Sequence, residues 1–262
     1  YRDRAGHDLN YLAIAGMTAY NGRRATGPQP MAFQVADVAG GSCHAVMAVL
    51  AAVIERQQSG EGQYIDISMT DAAFSLHALT APGALHTGES PELERTQLNG
   101  GSFYDCYETA DGRWFSVGGL EPQFFSQFCA AIGRPDLSGL GLVMVPDKVA
   151  ELKAQIAGEM KKKTFAEWQD IFAKVDSCTE PVLDFIEACE HPQIQARDML
   201  VKVNNEQGEA LRQVASPFKF SRSQPGYRFA GAPLGQHTDE VLREIGYDGG
   251  RINDLKKAGV IL

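Results

Sequence analysis

Two short clusters near the start of this 262-residue chain carry residue types suited to moving protons. Gly6-His7-Asp8 sets an imidazole beside a carboxylate, and Asp37-Val38-Ala39-Gly40-Gly41 sets a carboxylate ahead of a glycine pair. An imidazole changes charge near neutrality, and both groups stand at helix mouths, where unpaired backbone N–H groups favour a developing negative charge. Facing each other across a carbon acid, His7 and Asp37 can take a proton from one side and return it on the other. Glu121, just ahead of Pro122, is a third group that can complete the set. Each also has an ordinary structural role open to it. A His or Asp before a helix is commonly a cap, and Glu121 suits a first helical turn, where the dipole favours carboxylates.

The elements that position these groups can be read from periodicity. Leu9, Leu12, Ala13, Gly16, Met17 and Tyr20 recur at helical spacing, which predicts a helix over residues 9–20, with Asp8 as N-cap and Gly22 as stop. Ala39-Gly40-Gly41-Ser42 opens a second helix running to about Gln57. Val46, Met47, Val49, Leu50, Val53 and Ile54 make it apolar almost all round, so deep burial is expected. Alternation over Gln63 to Met69 predicts a strand, and a helix follows from Asp71 towards Thr80, stopped by Pro82-Gly83.

Phe103 to Glu108 and Arg113 to Val117 flank Ala110-Asp111-Gly112, a hairpin signal. A helix after Pro122 buries Phe124, Phe125, Phe128, Cys129 and Ile132, and further helices are read around 149–160, 165–172 and 182–189. The second of these has a capping box, Thr164 with Glu167. Another hairpin spans 199–203 and 210–214 around Asn205-Glu206-Gln207-Gly208, and Thr238 and Gly246 bound a final helix. The layout is a large-domain portion over 1–70 and a linker helix and loop over 71–98. A small α+β domain over 99–195 and a return linker over 196–232 follow, and helices over 233–262 rejoin the large domain.

The net charge of −9, with no basic stripe, argues against nucleic acid as a partner. Lys161-Lys162-Lys163 is read as the solvated end of a helix. Five cysteines, an odd number with no Cys-x-x-Cys pair, fit small buried hydrophobes in a reduced cytoplasm better than a disulfide scaffold. No apolar run is read as long enough to span a bilayer, so no membrane partner is expected. No His/Cys/Asp spacing suggests a metal. His44 is read as a satisfied core histidine and His237 as structural.

Several segments, in order along nearly the whole chain, resemble one family. Arg4-Ala5-Gly6-His7-Asp8-Leu9-Asn10-Tyr11-Leu12-Ala13 resembles the segment that marks α-methylacyl-CoA racemases, within the family III CoA-transferase (CaiB/BaiF) superfamily. Val35 to Ser42, Ala51 to Gln63, Asp105 to Gly112, Gly118 to Phe124 and Leu234 to Leu242 resemble later motifs of that family. The resemblance implies an α/β fold. A Rossmann-like large domain, its N-terminal βαβ part absent from this sequence, joins a smaller α+β domain, and two subunits interlock as a dimer. It implies a 2-methylacyl-CoA thioester as substrate, epimerised through an enolate, with no cofactor beyond the substrate's own CoA. His7 and Asp37 match the two bases, and Glu121 matches the glutamate that orients the histidine. The Asp8 amide is placed to bind the enolate oxygen, Gly6 belongs to the same motif, and Gly40 and Gly41 would leave room for the thioester. Tyr11 is a packing residue or a CoA contact.

Two other functions compete. In family transferases the aspartate at the Asp37 position is a nucleophile that forms an aspartyl-CoA thioester, so Asp37 serves either chemistry. The histidine of Gly6-His7-Asp8 separates them, because proton transfer across a carbon needs a second base and transferases generally lack histidine there. The third reading is a chain that folds and dimerises as an inert fragment or interaction module.

Overall fold

The computed structural model describes residues 3–205 and 207–262. It falls into two compact units, one running to Val182 and the other Leu183–Leu262.

The first unit begins with α1, Asp8–Ile14. His7, in extended backbone, is its N-cap, and Asp8 is the first helical residue rather than the cap. The helix stops well short of Tyr20 because Gly16 enters the left-handed region at φ +82°. There the Met17 N–H donates to the Leu12 carbonyl and the Gly16 N–H to that of Ala13, at 3.0 and 3.1 Å. These are the two bonds of a glycine-terminated helix end, and they satisfy carbonyls that have no partner within the helix. Thr18–Tyr20 is a separate 3₁₀ turn, and Gly22–Arg23 (β1) pairs with Gly27–Pro28 (β2).

Val35–Ser42 is a π-helical segment that runs directly into α2, Cys43–Ser59. Met69–Ser75 forms α3 and Ala81–Thr87 forms α4, joined by a 3₁₀ turn. Pro82 lies in the first turn of α4 and does not end a helix; Gly88 does, at φ +73°. Leu12, Ala15, Ala36 and Ala73 make the shared core of α1, the π segment and α3, with Tyr11, Met17, Val35 and Met69 packed around it.

Two further expectations fail in this region. Residues 63–68 are not a strand: an extended segment becomes one when a neighbour takes its backbone hydrogen bonds, and none of the described strands runs beside it. Helix α2 is not buried. Val46, Leu50 and Ile54 are 57, 58 and 59% exposed, and no residue of α2 is buried. Because the π segment continues it, Val35–Ser59 forms one helix of 25 residues whose most apolar 18-residue stretch has a mean hydropathy of 1.7, long and apolar enough to cross a membrane by length and composition. Asp37 and the two glycines, which suggest a break in the sequence, lie inside this run. Such a run is also what a core helix of a soluble protein shows.

Next comes an antiparallel sheet in the order β3-β4-β5, formed by Asp105–Glu108, Trp114–Val117 and Thr179–Pro181. Cys106 faces Ser116, and Ser116 faces Glu180, in register. Helices α5 (Pro122–Ala131), α6 (Pro146–Met160) and α7 (Phe165–Phe172) accompany it. Phe115, Phe125, Phe128, Trp168 and Phe172 are buried among them, with Phe128 stacked on Phe172 at 5.9 Å between centroids. Each such burial contributes roughly 1.5–3 kcal/mol. The Trp168 indole N–H donates to the Met160 carbonyl at 2.8 Å, so the largest ring carries no orphaned donor. The Thr164–Glu167 capping box is formed as its sequence predicts. Lys161 and Lys162 pair with Glu108 and Glu159, each at 2.5 Å, so the lysine run is a paired helix end.

The second unit holds α8 (Phe185–Glu190), α9 (Pro192–Ala196), the hairpin β6-β7 (Leu200–Asn204 with Ala210–Val214), α10 (Thr238–Glu244) and α11 (Gly249–Lys257). His237, not Thr238, caps α10. The hairpin turn read at Asn205 to Gly208 includes Glu206, which lies outside the described residues. All strand pairs among the described residues are antiparallel, so no parallel Rossmann sheet is seen in them. Of the cysteines, Cys129 and Cys189 are buried as expected, whereas Cys43, Cys106 and Cys178 are exposed.

Candidate active site

The His7 and Asp37 clusters are tied together by one bond. The Asp37 backbone N–H donates to the Asp8 carboxylate at 2.9 Å. Asp8 is free to reach across because it is the first helical residue and not the cap. The cap position is held by His7, whose own N–H donates to the Asn10 side-chain oxygen at 3.0 Å. The His7 carbonyl accepts from Asn10 and Tyr11, which leaves the N–H groups of Asp8 and Leu9 with no acceptor among the described residues. His7 is exposed and Asp37 half-buried. The Asp37 carboxylate takes no hydrogen bond or ion pair among the described residues, so nothing there competes for its lone pairs.

The turn that carries Asp37 is wider than an α-helical one. The Cys43 N–H donates to the Val38 carbonyl, five residues back. The Ser42 hydroxyl donates to the Asp37 carbonyl at 2.9 Å, and His44 Nδ1 is 2.9 Å from the Ala39 carbonyl. Both side chains thus bond back to carbonyls of the same widened turn. His44 is satisfied by its own helix, as expected, but it is not a core residue, because no residue of α2 is buried. Gly40 and Gly41 are crowded by α3: a Cβ on Gly41 would meet Met69 Cγ at 2.9 Å, and one on Gly40 would lie 3.5 Å from the Met69 carbonyl. Helix α3 thus occupies the space these glycines open. Tyr11 packs on the core, and its hydroxyl donates to the Gly6 carbonyl at 3.0 Å, fixing the approach to His7. Gly6, Tyr11, Asn10 and Asp71 line a cavity of about 710 Å³.

Glu121 stands elsewhere in the unit, as the N-cap of α5, and is exposed. It makes no hydrogen bond or ion pair with His7 or Asp37. Its support is Gly118-Gly119-Leu120, held against Ser177-Cys178: the Gly118 N–H donates to the Cys178 carbonyl at 2.9 Å. Desolvation, and then the negative charge of Glu121, pushes the Cys178 thiol above its ordinary pKa.

Beside that loop lies a cavity of about 440 Å³ lined in part by Arg23, Tyr104, Asp105, Cys106, Gly118 and Cys178. The Asp105 carboxylate accepts from Arg23 and, at 2.6 Å, from the Lys153 ammonium. Burial pushes the Asp105 carboxyl up, but the Lys153 hydrogen bond, the Cys106 N–H and the two cations outweigh it and hold it below the usual carboxylate range. This cluster is not visible in the sequence, because Arg23 and Lys153 lie 82 and 48 residues from Asp105 with no local pattern linking them. Among nearby and exposed aromatics, Phe103 is buried against Phe125, Phe33 is exposed, and Tyr104 reaches this cavity. Among the described residues no three His, Cys, Asp or Glu side chains stand together as a metal site.

Comparison with known proteins matches residues 1–238 to the family described as CoA-transferase family III. Alpha-methylacyl-CoA racemase of Mus musculus is 34% identical over 98% of this chain and 67% of its own length. The protein of the same name in Homo sapiens is 31% identical over 98% of this chain and 66% of its own. Relatives named as CoA-transferases match at 27% to 29% identity. The chain spans about two thirds of the length of the two racemases. Among solved structures, a CaiB/BaiF family protein from Brucella suis superposes with a TM-score of 0.75, at 22% identity, over 94% of this chain and 64% of that one. The fold is the mixed α/β fold of those structures.

Proposed function

The chain belongs to CoA-transferase family III, and from that membership we propose that it epimerises 2-methylacyl-CoA thioesters. One of His7 and Asp37 takes the α-proton, leaving an enolate whose charge rests on the thioester oxygen. The other, already protonated, returns a proton to the opposite face. The Asp8 amide, at the mouth of α1, stabilises the enolate oxygen. Glu121 orients His7 and balances its imidazolium. No cofactor is needed beyond the substrate's own CoA, and the setting is the cytoplasm.

The observation that carries the reading is the bond between the Asp37 N–H and the Asp8 carboxylate, which ties the two helix mouths together beside the histidine. Helix α2 exposes an apolar surface, which supports a dimer, and in this reading Glu121 comes from the second copy. The Rossmann-like large domain and the interlocked dimer belong to this reading. Light scattering on the eluting protein checks the dimer, and a monomer at micromolar concentration would end that part.

Asp37 and the transferase-named relatives favour one second reading, CoA transfer through an aspartyl-CoA thioester. Incubation with a chiral 2-methylacyl-CoA in deuterated water separates the two. Deuterium entering the α-position without any acid acceptor supports epimerisation. CoA moving only when a free acid is supplied, with no α-exchange, gives the function to transfer. Neither turnover nor acyl-CoA binding would leave an inert interaction module.

A further inference from the structure

Glu121 is presented by the run Gly118 to Glu121 between β4 and α5, and the backbone of Ser177-Cys178 is built against that run. The Gly118 N–H donates to the Cys178 carbonyl at 2.9 Å. A Cβ on Gly119 would stand 2.7 Å from the Ser177 carbonyl oxygen and 2.9 Å from Phe124 Cβ. Gly119 is therefore pressed between this segment and the helix that Glu121 caps. Ser177 is buried, and its hydroxyl has no hydrogen-bond partner. Cys178 meets the loop in the left-handed region at φ +50°. That conformation is unfavourable for a residue with a Cβ, though glycine and asparagine adopt it readily. Strain of this kind persists where the surroundings over-determine it. What depends on it here is the direction of the Cys178 carbonyl.

We propose that Cys178 is a positioning residue whose left-handed backbone aims its carbonyl at Gly118 and so fixes where the Glu121 carboxylate is presented. This rests on the proton-transfer role of Glu121. The thiol takes no part: it is the backbone conformation that matters, and residue 178 touches neither substrate nor reacting atoms.

The test follows from that distinction. Cys178→Gly and Cys178→Asn keep the left-handed conformation and remove the thiol, whereas the β-branch of Cys178→Val opposes it. The Gly and Asn variants are expected to exchange α-deuterium at the wild-type rate. The Val variant is expected to lose on the order of 10- to 100-fold in kcat with KM unchanged, the cost of a misplaced group. Combined with Glu121→Gln, it should be no slower than Glu121→Gln alone, since both act through one carboxylate. If circular dichroism shows Cys178→Val unfolded, Gly119→Ala presses the same contact from the other side and carries the same expectation. Wild-type exchange in the folded Val or Ala variant would overturn the proposal. So would a loss that multiplies with that of Glu121→Gln, or equal losses in the Asn and Gly variants. If Glu121→Gln itself leaves exchange unchanged, the role of Glu121 fails and the proposal falls with it. A loss in Glu121→Gln without one in the folded Val or Ala variant removes the proposal alone.

Discussion

The Asp8 carboxylate accepts the Asp37 backbone N–H at 2.9 Å, across 29 residues of chain. This bond joins the start of α1 to the first turn of the π segment and so holds His7 and Asp37 in one relationship. A charged acceptor on a half-buried amide is worth more than a neutral one, and losing it leaves the amide unpaired. Asp8→Ala should therefore cost about 1–3 kcal/mol in urea unfolding. Asp8→Asn, which keeps an acceptor oxygen, should cost less than Asp8→Ala. Equal stability of Asp8→Ala and the parent chain would show that the bond contributes nothing.

The two bases predict a kinetic signature that a single nucleophile does not. His7→Gln and Asp37→Asn should each slow epimerisation by roughly 10²–10⁴-fold, the usual worth of a positioned acid or base. Mass spectrometry of α-deuterium incorporation reads this for each substrate enantiomer. If His7→Gln epimerises at the parent rate while Asp37→Asn is dead, His7 is not the second base and the two-base reading fails.

Most of the fold from Phe103 to Phe172 was legible in the sequence because its signals are local. The hairpin around Ala110-Asp111-Gly112, Pro122 in a first turn and the Thr164–Glu167 box each involve residues a few positions apart. Failures came where long-range context decides. Apolarity all round α2 suggests burial, yet nothing in a helix's own sequence says what covers it. The strand over 63–68 needed a neighbour that no periodicity reveals. The early end of α1 has a local signal: Gly16 fits the apolar spacing, but its ease with positive φ ends the helix there. At the candidate site, the residue types of His7 and Asp37 were visible, but the Asp8 tie between them was not. Asp8 looked like a cap, and as a cap its carboxylate would have been spent on its own helix.

The aromatic core offers a stability check independent of chemistry. Phe128 is fully buried and stacks on both Phe125 and Phe172. Phe128→Ala should cost about 3–5 kcal/mol by lost burial and residual cavity. Phe128→Leu should cost distinctly less, since it refills much of the volume. Thermal or urea unfolding followed by Trp168 fluorescence reads both, because Trp168 stacks on Phe172 in the same cluster.

Asp105 predicts how stability responds to acid. Its carboxyl is held below the ordinary carboxylate range, first against the opposing effect of burial and then by Lys153, the Cys106 N–H and Arg23. A group whose folded pKa is depressed contributes stability that is fully present above its unfolded pKa of about 4. The contribution is lost as the pH falls through the lower folded value, because the unfolded chain then binds the proton first. The parent protein should thus lose stability progressively below about pH 5. Asp105→Asn should be less stable near neutrality, where Lys153 and Arg23 lose their carboxylate partner, and should show a flatter decline in acid. Urea unfolding of both proteins at steps between about pH 7 and pH 3 measures the difference. Parallel curves across that range would mean that Asp105 titrates alike in the folded and unfolded chain, and that its bonds to Lys153 and Arg23 do not hold it ionised.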